Sequence, residues 1–123
     1  MKTILVVDDD DDIRRVLRRM LEQAGHRVAE ADSAAAAILL VTGDDPPDAV
    51  VCDVVMPGKT GLAFYRELVE QAPALRQRVV FLTGAASDRG VHDTIEAMGV
   101  PLLAKLDDLQ LVIDAVRVAL LRP

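Results

Sequence analysis

A chain of 123 residues, 51% hydrophobic and 28% charged, is long enough for one domain with a real core and too apolar to remain disordered. Its net charge of −6 argues against bulk binding to DNA or an anionic membrane, and 2% aromatic content offers no stacking platform for single-stranded nucleic acid. The lone cysteine, Cys52, excludes an intrachain disulfide and fits a cytoplasmic setting.

Thr3 to Val7 is an apolar run of strand length. It breaks at Asp8, too early for a signal peptide or a membrane span. Five aspartates, Asp8 to Asp12, follow at once. Ile13, Val16, Leu17, Met20, Leu21 and Ala24 then recur at helical spacing, which predicts one buried face. Arg14, Arg15, Arg18 and Arg19 take the opposite face and read as solvated, with Arg14 and Arg18 a candidate docking surface for an acidic partner helix. Asp11 and Asp12 are placed to cap this helix and favour its dipole, whereas Asp10 reads as a junction without a role. Gly25 supplies the left-handed stop.

A second strand is predicted over Arg27 to Ala31, and a helix capped by Ser33 from Ala34 to about Thr42. Gly43 to Pro47 is a loop by its turn residues. Ala49 to Cys52 is a third strand. Pro57-Gly58 breaks the chain, and Thr60-Gly61 opens a helix burying Leu62, Tyr65, Leu68 and Val69. Val79 to Leu82 is a fourth strand, followed by a helix from about Asp88 to Met98 despite Gly90 in its first turn. Leu102 to Ala104 is a short fifth strand. The last helix buries Leu109, Val112, Ile113, Val116 and Leu120.

Strands alternating with helices, and apolar on both faces, imply a doubly wound α/β fold: a parallel sheet in a three-layer sandwich. In such sheets function collects at the carboxyl ends of the strands. That rule selects Asp8 to Asp12 after the first strand, Asp53 to Gly61 after the third, Thr83 to Ser87 after the fourth and Lys105 after the fifth, so that Asp8, Asp9 and Asp53 would converge on one edge. Three converging carboxylates repel one another unless a cation lies between them, and Mg²⁺, hard and oxygen-seeking, is the natural one. A carboxylate nucleophile, a cation, the Thr83 hydroxyl and the Lys105 ammonium make a sensible phosphoryl-transfer site. Cys52, beside Asp53, reads as a small core hydrophobe, and His26 and His92, without partners at ligand spacing, as surface residues.

The runs "ILVVDDD", "VVCDVVMPGKTG", "VVFLTG" and "LLAK" stand in order along nearly the whole chain. In these the sequence resembles the receiver domains of two-component response regulators, of the chemotaxis-regulator kind. The resemblance implies one receiver domain over residues 1–123 with a flavodoxin-like (βα)5 fold and strand order 2-1-3-4-5. It implies that Asp53 accepts phosphate from a phosphohistidine of a histidine kinase or a phosphotransfer protein. Asp8 and Asp9 would be the acidic pair, with Asp9 a direct ligand to Mg²⁺ beside Asp53 and the Val55 carbonyl. Thr83 would be the switch hydroxyl, and Lys105 would bond the phosphoryl group. Such a domain modifies itself and is not a turnover enzyme. It implies a monomer or weak dimer signalling to a further protein, without nucleic-acid or membrane contact of its own. The wording "GVPLLAK" resembles receivers attached to hybrid sensor histidine kinases.

Three departures shape the expectations. Leu106 replaces the proline that usually follows the lysine, so a trans bond is expected there, since a non-proline cis bond costs about 3 kcal/mol. The loop Leu106-Asp107-Asp108-Leu109 is also short, which motivates an alternative: a binding module of the same fold that no longer signals by phosphate. Leu102 stands where receivers carry an aromatic switch residue. Val55 and Ala85 offer no polar side chain to align an attacking water, which predicts slow self-dephosphorylation. A Mg²⁺-dependent phosphatase or nuclease would need a further acid-rich motif after the third strand, and none is present.

Overall fold

The computed structural model describes residues 1–84, 89–105 and 109–123. Its elements are β1 (Thr3–Val7), α1 (Asp11–Gln23), β2 (Arg27–Ala31), α2 (Ala34–Val41), β3 (Ala49–Asp53), α3 (Gly61–Gln71), β4 (Val79–Thr83), α4 (Arg89–Ala97), β5 (Leu102–Ala104) and α5 (Gln110–Leu120). A single 3-10 turn, Pro73–Leu75, follows α3 and was not foreseen from the sequence. The five strands form one parallel sheet in the order β2-β1-β3-β4-β5, the flavodoxin-like arrangement.

Strand pleating divides the core. Ile4 and Val6 of β1 point to the layer of α1 and α5, with Leu17, Leu21, Val112 and Val116. Leu5 and Val7 point to the layer of α2, α3 and α4, with Ala37, Phe64, Leu68 and Ile95. Every residue of β3 and β4 is buried, which is why these strands read as continuous apolar runs rather than alternating ones. Among the described residues no helix is long and apolar enough to cross a membrane.

The helix ends follow local chemistry. Asp10, not Asp11 or Asp12, is the N-cap of α1: its carboxylate accepts the Asp12 and Ile13 amides at 2.9 and 3.3 Å. Asp11 and Asp12 lie in the first turn, where their charge favours the dipole. At the other end Gly25 takes φ 95°. Its amide and that of His26 bond the Glu22 and Leu21 carbonyls, each at 3.0 Å. Ser33 and Thr60 cap α2 and α3 by accepting the Ala36 and Ala63 amides.

Two expectations about the apolar face of α1 fail. Val16 is 44% exposed, because Leu17 and Leu21 alone reach the sheet fully. Ala24 is exposed as the C-cap residue. In α5, Ala119 is buried and Leu109 and Leu120 only partly so; in α3, Phe64 joins Tyr65 and Leu68, while Leu62 and Val69 pack from the margin.

Candidate functional site

The parallel order brings β1, β3, β4 and β5 together at one sheet edge, so the residues after them meet there although far apart in sequence. Asp8 follows β1 and is 1% exposed; Asp53 ends β3 and is 4% exposed; Thr83 ends β4 and is 5% exposed. Asp9 is exposed at the mouth. Lys105 follows β5, and its amide donates to the Thr83 carbonyl at 2.9 Å. The short β5 thus delivers Lys105 to the site directly from its pairing with β4.

The Lys105 ammonium donates to Asp53 Oδ2 at 2.9 Å and lies 2.8 Å from Asp8 Oδ2. Asp53 Oδ1 accepts the Val55 amide at 3.1 Å, and Asp8 Oδ1 accepts the Asp10 amide at 2.9 Å. Asp8 Oδ2 is buried and, despite the ionic contact with Lys105, accepts no aligned hydrogen bond. The Thr83 hydroxyl donates to the Gly84 carbonyl at 3.3 Å, a long bond that leaves it free to turn.

Burial holds the Asp53 carboxyl above its ordinary range, and the neighbouring Asp8 charge adds to this; the Lys105 and Val55 bonds offset only part. Burial alone would lower the Lys105 amine, but its close contacts with the Asp8 and Asp53 carboxylates outweigh this and raise it. Cys52 is fully buried in the layer of α2, α3 and α4, and burial pushes its thiol well up, so it remains a neutral core residue.

Carboxylate oxygens of Asp8, Asp9 and Asp53 lie within 4.8 Å of one another. An all-oxygen set whose buried Asp8 Oδ2 has an ionic contact with Lys105 but no aligned hydrogen bond fits a hard divalent cation. The loop after β3 is held in place by local packing. A Cβ on Gly61 would stand 2.2 Å from the Asp53 carbonyl, so only glycine lets α3 start this close to the end of β3. Lys59 reaches Glu67 on α3 at 2.5 Å and staples the loop from outside.

With this geometry in view, the profile of the response regulator receiver domain matches residues 4–117. The chain belongs to that family. This receiver is similar to solved structures of the same kind. One is a response regulator receiver domain protein from Clostridium thermocellum, at 28% identity and TM-score 0.83, covering 98% of this chain and 94% of that one. The receiver domain of a signal transduction histidine kinase from Syntrophus aciditrophicus shares 26% identity, with TM-score 0.81 and coverage of 98% and 90%. The non-phosphorylated HemR receiver domain from Leptospira biflexa shares 25%, with TM-score 0.83 and coverage of 100% and 98%. No curated protein matches the sequence.

Asp8, Asp9, Asp53, Thr83 and Lys105, selected from the sequence, therefore lie in one neighbourhood of this receiver. Val55 contributes its amide to Asp53, and its side chain is 65% exposed. Leu102 is half-buried on β5, paired in register with Phe81 and packed against the core. His26 and His92 are both half-buried rather than superficial. Ala85, the stretch through Ser87 and Asp88, the Lys105–Leu106 bond, Asp107 and Asp108 lie outside the described residues.

The arginine face of α1 is not uniformly solvated. Arg14 is 14% exposed, against 71% for Arg15. Its guanidinium bonds the Asp8 carbonyl at 2.6 Å, Glu30 of β2 at 3.2 Å, and Asp11. Arg18 bonds the same Glu30 and the Val28 carbonyl. Helical spacing alone shows only the Asp11 contact within α1, because Glu30 comes from β2 and the Asp8 carbonyl from the residue after β1.

Proposed function

We propose that this receiver takes a phosphoryl group onto Asp53 from a phosphohistidine of a histidine kinase or histidine phosphotransfer protein. The acyl phosphate then shifts the population of a protein-interaction face formed by α4, β5 and α5. The observation that carries the reading is a buried Asp53 carboxylate held 2.9 Å from the Lys105 ammonium at the carboxyl edge of the sheet.

An Asp53 carboxylate oxygen attacks phosphorus; an O–P bond forms and the P–N bond breaks. The leaving imidazole keeps the bonding electron pair and takes up a proton. The Val55 amide fixes Asp53 Oδ1, which orients the carboxylate for attack. Lys105 moves its ionic contacts from Asp53 to the phosphoryl oxygens. The Thr83 hydroxyl leaves the Gly84 carbonyl and donates to another phosphoryl oxygen. Asp8, Asp9, Asp53 and the Val55 carbonyl would hold Mg²⁺, which when bound supplies positive charge against the transferring group.

The domain spans residues 1–123, works in the cytoplasm as a monomer or weak dimer, and hands its signal to a further protein. It catalyses its own modification without turnover of a separate substrate. Similarity to a receiver from a histidine kinase supports a place in a hybrid sensor kinase.

The test is incubation with acetyl phosphate and Mg²⁺ followed by intact mass. A phosphoryl adduct that disappears in Asp53→Asn supports the reading. No adduct from acetyl phosphate or from a phosphohistidine donor would transfer the case to a phosphate-independent binding module.

A further inference from the structure

We propose that Arg14 is a positioning residue, whose guanidinium fixes the Asp8 peptide so that the Asp8 carboxylate faces the cation site. The inference rests on the reading of that site as a Mg²⁺-dependent phosphoacceptor.

Asp8 stands one residue beyond the last β1–β2 register pair, Val7 with Ala31. Its amide still reaches the Ala31 carbonyl at 3.1 Å. Its carbonyl is instead bonded by Arg14 Nη1 at 2.6 Å. Asp8 Oδ1 is taken by the Asp10 amide. Only Oδ2 is left without a hydrogen bond, and it is the oxygen beside Lys105. Both backbone groups and one carboxylate oxygen are thus fixed, and the remaining oxygen is presented to the site.

Arg14 is itself held. Its Nε donates to Glu30 Oε1 at 3.2 Å and its Nη2 to Asp11. Glu30 is braced on its other oxygen by Arg18, which also bonds the Val28 carbonyl at 3.3 Å. The chain Val28–Arg18–Glu30–Arg14–Asp8 links β2 and α1 to the end of β1. A planar guanidinium serves a carbonyl and a carboxylate at once through a rigid fork, whereas an ammonium on a flexible stem has no such fixed directions. A residue that orients a metal ligand changes affinity by about 10-fold or more when lost.

The test compares the wild-type chain with Arg14→Ala, Arg14→Lys, Glu30→Gln and the control Arg15→Ala. Mg²⁺ affinity is measured by calorimetry, and amide exchange is followed at Asp9 and Asp10 without metal. Arg14→Ala should weaken Mg²⁺ binding about 10-fold and speed exchange at both amides. Arg14→Lys should recover little, Glu30→Gln should weaken binding less, and Arg15→Ala should leave it unchanged. Phosphorylation of Arg14→Ala by acetyl phosphate should be slow at low Mg²⁺ and recover at saturating Mg²⁺, which a general loss of structure would not allow. Wild-type affinity in both Arg14→Lys and Glu30→Gln would overturn the proposal even if Arg14→Ala fails to fold. A wild-type chain that binds no Mg²⁺ and forms no adduct would instead overturn the reading of the site, and this inference with it.

Discussion

Asp53 is kept in an uncomfortable state. Burial and the nearby Asp8 charge raise its carboxyl above the ordinary range despite the Lys105 bond. A folded-state value raised above the unfolded one means stability that is present at low pH and lost as pH rises through the folded value. Without metal, Asp53→Asn should therefore be more stable than wild type at neutral pH, and the gap should close as pH falls below the ordinary aspartate value. Thermal unfolding in a chelator at two pH values checks this; an unchanged gap would contradict it. Gly61 sets a steric limit at the same site. The 2.2 Å approach of a Cβ to the Asp53 carbonyl predicts that Gly61→Ala costs about 2 kcal/mol and slows phosphorylation, measured by urea unfolding and by adduct formation.

At the scale of elements, α1 shows what patterning can and cannot supply. The helix itself is plain from Leu17 and Leu21, but the frame of its cap is ambiguous within a run of aspartates. The end of β1 decides it, by spending Asp8 on the site and leaving Asp10 to receive the Asp12 and Ile13 amides. Asp10→Ala should cost about 1 kcal/mol of stability, and Asp11→Ala or Asp12→Ala only a few tenths, in urea melts. Arg14 and Arg18 are occupied by Glu30, so a docking contribution from this helix falls to the outward Arg15 and Arg19. Reversing both charges should slow transfer from a phosphohistidine donor in a salt-dependent manner, while phosphorylation by acetyl phosphate is unchanged.

For the whole molecule, a ligand that binds only the folded state stabilises it by mass action. Mg²⁺ at 100 times its dissociation constant should add about 2.7 kcal/mol to wild type and much less to Asp9→Asn, read from melting temperature. Once formed, the Asp53 phosphate should persist for minutes or longer. The exposed Val55 side chain carries no group to align water. A half-life of seconds, followed by loss of labelled phosphate, would contradict this. Leu102, packed against the core beside Phe81 in register, should couple phosphorylation to the α4–β5–α5 face less strongly than an aromatic would, which amide exchange with and without phosphate can measure.

The sequence by itself determined the strands β1, β2 and β5 to the residue, the alternation that makes the sheet parallel, and the choice of Asp8, Asp9, Asp53, Thr83 and Lys105. Those features are local, or follow from one topological rule about strand ends. Tertiary structure alone decided which acids and bases pair. Arg14 looked like a solvated face because its partners, the Asp8 carbonyl and Glu30, come from other elements. Lys105 precedes a shortened loop, and it is the pairing of β5 with β4 that places its amide on Thr83 and its ammonium between Asp8 and Asp53. Side-chain periodicity reports which way a residue points; only the packed sheet reports what it meets.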